Sequence, residues 1–137
     1  MVEKWTQDAT GNDGGSAPFS IEASGAPMEY ERAVNEFEGD EALLMEVAEG
    51  FIQNVRSQIE TIRRALAEGD AKTARKEAHA IKGGAANLTA DALSAVAFEL
   101  ENLGISGAVE HGADILKTLE SEFRRFEDFC AEIFHSF

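Results

Sequence analysis

Residues 78–89 read Ala-His-Ala-Ile-Lys-Gly-Gly-Ala-Ala-Asn-Leu-Thr and lie inside a long run of helix-forming sequence. Taken as helical from Lys72 to Leu88, this run sets Ala74, Ala78, Ile81, Ala85 and Leu88 at steps of four, three, four and three, the spacing of one buried apolar stripe. With about 100° of rotation per residue, His79 points about 140° away from Ala74 and faces water. Lys72, Arg75, Lys82, Gly83 and Ala86 fall between about 80° and 180° on the same wheel. The exposed histidine is therefore flanked by cations and by residues with little or no side chain.

A lone histidine on a helix is ordinarily a solvated or core residue without a role. Here its neighbours argue otherwise. Gly83 and Gly84 each cost a helix interior about 1 kcal/mol relative to alanine, which calls for a helix end or for close approach by another molecule. Because the stripe continues through Ala85 and Leu88, an end at Gly83 is disfavoured. With Gly83 one turn beyond His79 and Lys82 three residues on, the segment offers a nucleophilic imidazole, a nearby cation and an open approach path.

At these residues the sequence resembles the histidine-containing phosphotransfer (HPt) domain family, whose motif runs His-x-x-Lys-Gly followed by small residues and an apolar position. His79, Lys82, Gly83, Gly84, Ala85, Ala86 and Leu88 match it; the motif commonly ends in glycine, where this chain has Thr89. The resemblance implies that His79 accepts a phosphoryl group from a receiver-domain aspartyl phosphate and passes it to another receiver. It implies no catalytic site of the chain's own. The helical pattern resembles that family over about residues 28 to 135, with residues 78–89 carrying the specific part.

The chain's bounds are consistent with one compact domain. At 137 residues it is long enough for a single core and short for two. A net charge of −14 and a pI near 4.5 disfavour nucleic acid or an anionic membrane surface as partner. A locally basic patch then stands out: Lys72, Arg75 and Lys76 are either an ordinary solvated face or, as preferred here, a docking surface for an acidic partner. The single cysteine, Cys130, has no intramolecular disulfide partner. No apolar run approaches the roughly 20 residues needed to span a bilayer. The N-terminal Met-Val-Glu-Lys-Trp-Thr-Gln lacks the apolar centre of a signal peptide, so a cytoplasmic location is expected.

Residues 1–27 are expected to be a flexible tail or linker, rich in Gly, Ser, Asp and Asn from residue 6 onward, with Pro18 and Pro27 the chain's only prolines. Trp5, Phe19 and Ile21 either dock on the bundle or form an untethered leader. A short helix is expected from Met28 to Phe37, ended by Gly39. Asp40 then caps a long helix with Leu44, Val47, Ala48, Phe51, Val55, Ile59, Ile62 and Leu66 on its stripe. Gly69 closes that helix and Asp70 caps the next.

The motif helix is expected to end near Ala86 or Asn87. Asn87 either adopts the left-handed terminating conformation or contacts a partner, and Thr89 caps the fourth helix with Asp91 in its first turn. Leu93, Val96, Ala97, Leu100 and Leu103 give that helix its stripe, and Gly104 stops it, leaving Ile105 to Gly107 as connection. The last helix runs from about Ala108 with Val109, Ala113, Leu116, Leu119, Phe123, Phe126, Cys130, Ile133 and Phe137 on its stripe. Gly112 interrupts its first turns, so the regular part begins near Asp114. Phe129 and Phe134 widen the stripe and face either the first helix, the preferred cover, or a second copy of the chain. Cys130 is expected to be a packed thiol.

These readings amount to an all-α fold, an up-down antiparallel four-helix bundle with a short additional N-terminal helix over residues 28–137. An exposed imidazole, with an ordinary pKa of about 6.5, is largely neutral and nucleophilic at cytoplasmic pH. Lys82 is expected to favour that neutral form and to neutralise phosphoryl charge after transfer, while the ring's other nitrogen is held by a hydrogen bond. Gly83, Gly84, Ala86 and Asn87 join Lys72, Arg75 and Lys76 as candidate partner-binding positions. The sequence has no nucleotide-binding loop and no carboxylate cluster around His79, so any magnesium is expected on the partner receiver domain. His111 and His135 lack the motif's neighbours, and no metal-ligand spacing appears. The expected role is a monomeric relay between receiver domains, or from a histidine kinase to a receiver. The alternative is an adaptor bundle that binds a receiver or kinase without accepting phosphate; a stand-alone enzyme lacks an acid–base or nucleophile–base pair.

Overall fold

Side-chain caps and left-handed glycines set the helix boundaries. The computed structural model describes residues 26–106 and 111–135. It contains α1 (Tyr30–Glu36), α2 (Glu41–Ala67), α3 (Ala71–Asn87), α4 (Asp91–Ser106) and α5 (Gly112–Phe134). The Asp40 carboxylate accepts a hydrogen bond from the Leu43 N–H at 3.0 Å, and Asp70 accepts from both the N–H and the hydroxyl of Thr73. Each aspartate thereby satisfies a backbone donor that the first turn leaves unpaired. The Thr73 bonds hold the Asp70 carboxyl below the usual carboxylate range. Gly39 and Gly69, at φ +82° and +72°, reverse the chain where an L side chain is disfavoured.

The long helices pack cyclically, α2 on α3, α3 on α4, α4 on α5 and α5 on α2, as an up-down bundle. The α3 stripe lies wholly inside: Ala74, Ala78, Ile81, Ala85 and Leu88 are buried. On α2 the core also takes Ile52 and Ala65, while the expected Val47, Phe51 and Leu66 are half-buried at its margin. Phe126, Leu119 and Cys130 are fully buried on α5, and burial pushes the Cys130 thiol up to about 12. That is a packed thiol.

Four boundaries differ from the expectations. The helix at the start is shorter, Tyr30–Glu36. The backbone of α4 continues through Gly104 to Ser106, so that glycine does not stop it. The last helix begins at Gly112, and Gly112 starts rather than interrupts it: a Cβ there would lie 2.6 Å from Leu66 Cδ2, so the glycine lets α5 close on α2. Ala113, expected on the stripe, is exposed. The tail features Trp5, Pro18, Phe19 and Ile21, the side chain of Ile105, and Gly107, Ala108, Val109 and Phe137 lie outside the described residues.

The α3–α4 turn also departs from expectation. Asn87 stays helical, and Thr89, not Asn87, takes the left-handed conformation at φ +58°. Helix α4 begins only at Asp91, so Thr89 is not its cap. A β-branched residue in this region carries a cost of roughly 1–2 kcal/mol. Its side chain offsets that cost: Thr89 Oγ1 accepts from the Glu29 N–H and lies within hydrogen-bonding distance of the Glu29 carbonyl, both at 3.0 Å. A residue expected to start the next helix instead clasps the entry to α1. Tyr30 meets Phe134 edge-to-face with ring centroids 6.1 Å apart, so α1 covers the aromatic end of α5.

Candidate functional site

Burying the alanine stripe of α3 turns His79 outward, its side chain 65% exposed. Across the seam, α4 presents Ser94, Phe98 and Glu101 at intervals of four and three, one row along a helix. Ser94 Oγ donates to the Lys82 carbonyl at 3.1 Å. Glu101, only 9% exposed, places Oε2 2.8 Å from His79 Nδ1 and Oε1 2.8 Å from Lys82 Nζ. The Lys82 contact is a close ion pair, and among the described residues Oε1 has no further partner. The Lys82 ammonium also sits 5.0 Å from the centroid of the Phe98 ring.

The protonation pattern follows from this geometry. Lys82 foremost, and then His79, hold the Glu101 carboxyl below the usual carboxylate range, against the opposing effect of its burial. An ionised carboxylate only accepts hydrogen bonds, so Nδ1 of His79 carries the proton it shares with Oε2. In the neutral ring the lone pair then resides on Nε2. The chemistry available is nucleophilic attack by an exposed, oriented Nε2.

Sequence reasoning did not single out Glu101. Its signal was present: it follows Ala97 by four residues at the edge of the α4 stripe, where a buried carboxylate needs a partner. It is a single carboxylate beside the histidine and not a cluster, and it engages Lys82 as well as His79. Gly84, expected on the partner-facing side, packs inward instead: a Cβ there would lie 2.6 Å from Phe51 Cε1. A Cβ at Gly83, by contrast, would meet nothing within 4 Å among the described residues beyond its own turn of helix. Ala86 and Asn87 are exposed beyond it; Lys72 and Lys76 are exposed and Arg75 half-buried on the first turns of α3. His111 and His135 are exposed at the two ends of α5. Among the described residues no three His, Cys, Asp or Glu side chains converge on a metal position, and no helix is long and apolar enough to cross a membrane.

The Hpt domain model matches residues 46–129, well over half of the chain and the whole of this cluster. This chain belongs to the Hpt domain family. The Hpt fold is seen also in the crystal structure of histidine-containing phosphotransfer protein B (HptB) from Pseudomonas aeruginosa PAO1. The two superpose with a TM-score of 0.76 at 22% sequence identity, covering 83% of this chain and 99% of that one. Comparison with curated proteins returns no match. Membership in the Hpt family supports histidine phosphotransfer in a phosphorelay as the general function.

Proposed function

We propose that this Hpt domain is a phosphorelay carrier whose acceptor atom is Nε2 of His79. The observation that carries the reading is the Glu101 contact at Nδ1, which leaves Nε2 as the outward-facing nucleophile. In the forward step the Nε2 lone pair attacks the phosphorus of a receiver-domain aspartyl phosphate. The N–P bond forms, the P–O bond to the aspartate breaks, and the aspartate leaves as carboxylate. The ring gains positive charge, which the ionised Glu101 stabilises through Nδ1–H. Lys82, paired with Glu101 beside the ring, balances the charge of the incoming phosphoryl oxygens. Magnesium for the reaction belongs to the receiver partner. Transfer onward to a second receiver is the reverse sequence, and a histidine kinase serves equally as donor.

Exposed Gly83 and Ala86 leave the approach open, and the cations Lys72, Arg75 and Lys76 face an acidic partner with opposite charge. The protein acts as a cytoplasmic monomer in this reading. Incubation with a phosphorylated receiver, followed by mapping of acid-labile phosphate, is expected to place the label on His79 and to lose it in His79→Gln. Label on another residue, or retained in His79→Gln, refutes the assignment. Receiver binding with no label at all identifies an adaptor instead.

A further inference from the structure

Among the described residues only Leu43 and Phe98 leave a large apolar side chain substantially in water, and Phe98 is the more exposed at 49%. A scattered exposed apolar residue needs no explanation. The position of Phe98 does. It lies midway along the row Ser94–Phe98–Glu101, whose outer members bind the backbone and the side chain of Lys82. Its ring stands 5.0 Å from Lys82 Nζ. Lys82 and His79 share Glu101, so the ring borders the phosphoryl-accepting cluster directly. On the α3 side of that cluster Gly83 and Ala86 expose only backbone and a methyl group, a flat surface beside which the Phe98 ring is the large apolar projection.

Resting on the reading of His79 as acceptor, we infer that Phe98 is an anchoring and specificity-determining residue for receiver docking. Its ring packs on an apolar surface beside the receiver's phosphorylated aspartate. Aromatic side chains concentrate binding energy at interface centres because they bury a large rigid area at small entropic cost, while charges tune the rim. The cations Lys72, Arg75 and Lys76 supply that rim on a chain of net charge −14, and an acidic receiver pocket supplies its complement. Cations alone bring acidic partners of many kinds; the ring selects those with an apolar surface in register with the aspartate.

The test uses the full chain and isolated receiver domains of the source organism, loaded with beryllofluoride to imitate aspartyl phosphate. Wild type is expected to bind at least one of them, and Phe98→Ala to weaken that binding about tenfold or more while Phe98→Tyr stays near wild type. Chemical phosphorylation of His79 by phosphoramidate, which needs no protein docking, is expected to proceed alike in all three. Unchanged binding in Phe98→Ala, or no binding by wild type, overturns the inference. Loss of phosphoramidate labelling in Phe98→Ala overturns it too, because the ring then acts through Lys82 rather than on the partner. Wild-type binding that Phe98→Ala weakens, while His79 takes no phosphate from any receiver, is a different result: it removes the acceptor role and leaves Phe98 as a docking residue of an adaptor.

Discussion

Adjacent glycines mark the two faces of α3, and each face uses the missing side chain differently. At Gly84 a Cβ would meet Phe51 Cε1 at 2.6 Å and Cδ1 at 2.8 Å; at Gly83 it would meet nothing within 4 Å. Both residues carry the same intrinsic penalty, about 1 kcal/mol against alanine in a helix interior. Gly84 recovers it inside the fold, by admitting the Phe51 ring that packs edge-to-face on Phe126 at 5.6 Å. Gly83 recovers nothing inside the fold. Gly83 stands one turn from His79, and in the proposed relay its missing side chain leaves the partner's approach open.

The inner face gives the largest effect. Gly84→Val is expected to lose about 1–3 kcal/mol, because a branched side chain drives into Phe51 and the core behind it. Urea denaturation measures this, and a loss below the error of the fit would mean that the two glycines are equivalent after all.

Glu101 joins the two faces and gives an intermediate effect. Glu101→Gln keeps the shape and an acceptor for Nδ1–H but removes the charge paired with Lys82. A loss of about 1 kcal/mol is expected at pH 7, together with slower receiver-dependent transfer. The sign of the pH dependence is fixed. A carboxyl held below its unfolded value of about 4.3 stabilises the fold above that pH, and the contribution disappears as pH falls through the folded value. Stabilities of wild type and Glu101→Gln should therefore converge on acidification from pH 7 towards pH 3. A gap that stays constant would show that the Glu101 charge contributes nothing to stability.

Gly83→Ala gives the smallest effect and the opposite sign. With open space around the new methyl group, it should gain about 0.5–1 kcal/mol of stability through helix propensity alone. If thermal melting shows a loss, the outer face is packed against something and the contrast between the glycines fails.

Much of this was legible in sequence because it depends on local periodicity. The α3 stripe, the caps Asp40 and Asp70 and the turn glycines Gly39 and Gly69 each follow from a residue and its near neighbours. Gly84 was misplaced because rotation about one helix axis does not reveal the neighbouring helix, and Phe51 comes from α2. Glu101 was missed for a related reason: it is 22 residues from His79 and meets it only because α4 folds back along α3. Thr89 misled by its chemistry, since a threonine before an aspartate reads as a helix cap. Its hydroxyl is instead committed to Glu29, 60 residues away.

Sequence alone determined that the helical part of the motif, residues 78–87, sets Ala78, Ile81 and Ala85 on one side and His79, Lys82 and Gly83 on the other, since a 3.6-residue period allows no other division. Only the tertiary structure decided which ring nitrogen of His79 is free. That choice rests on a buried carboxylate from another helix, and a contact between segments distant in the chain exists only once the bundle has closed.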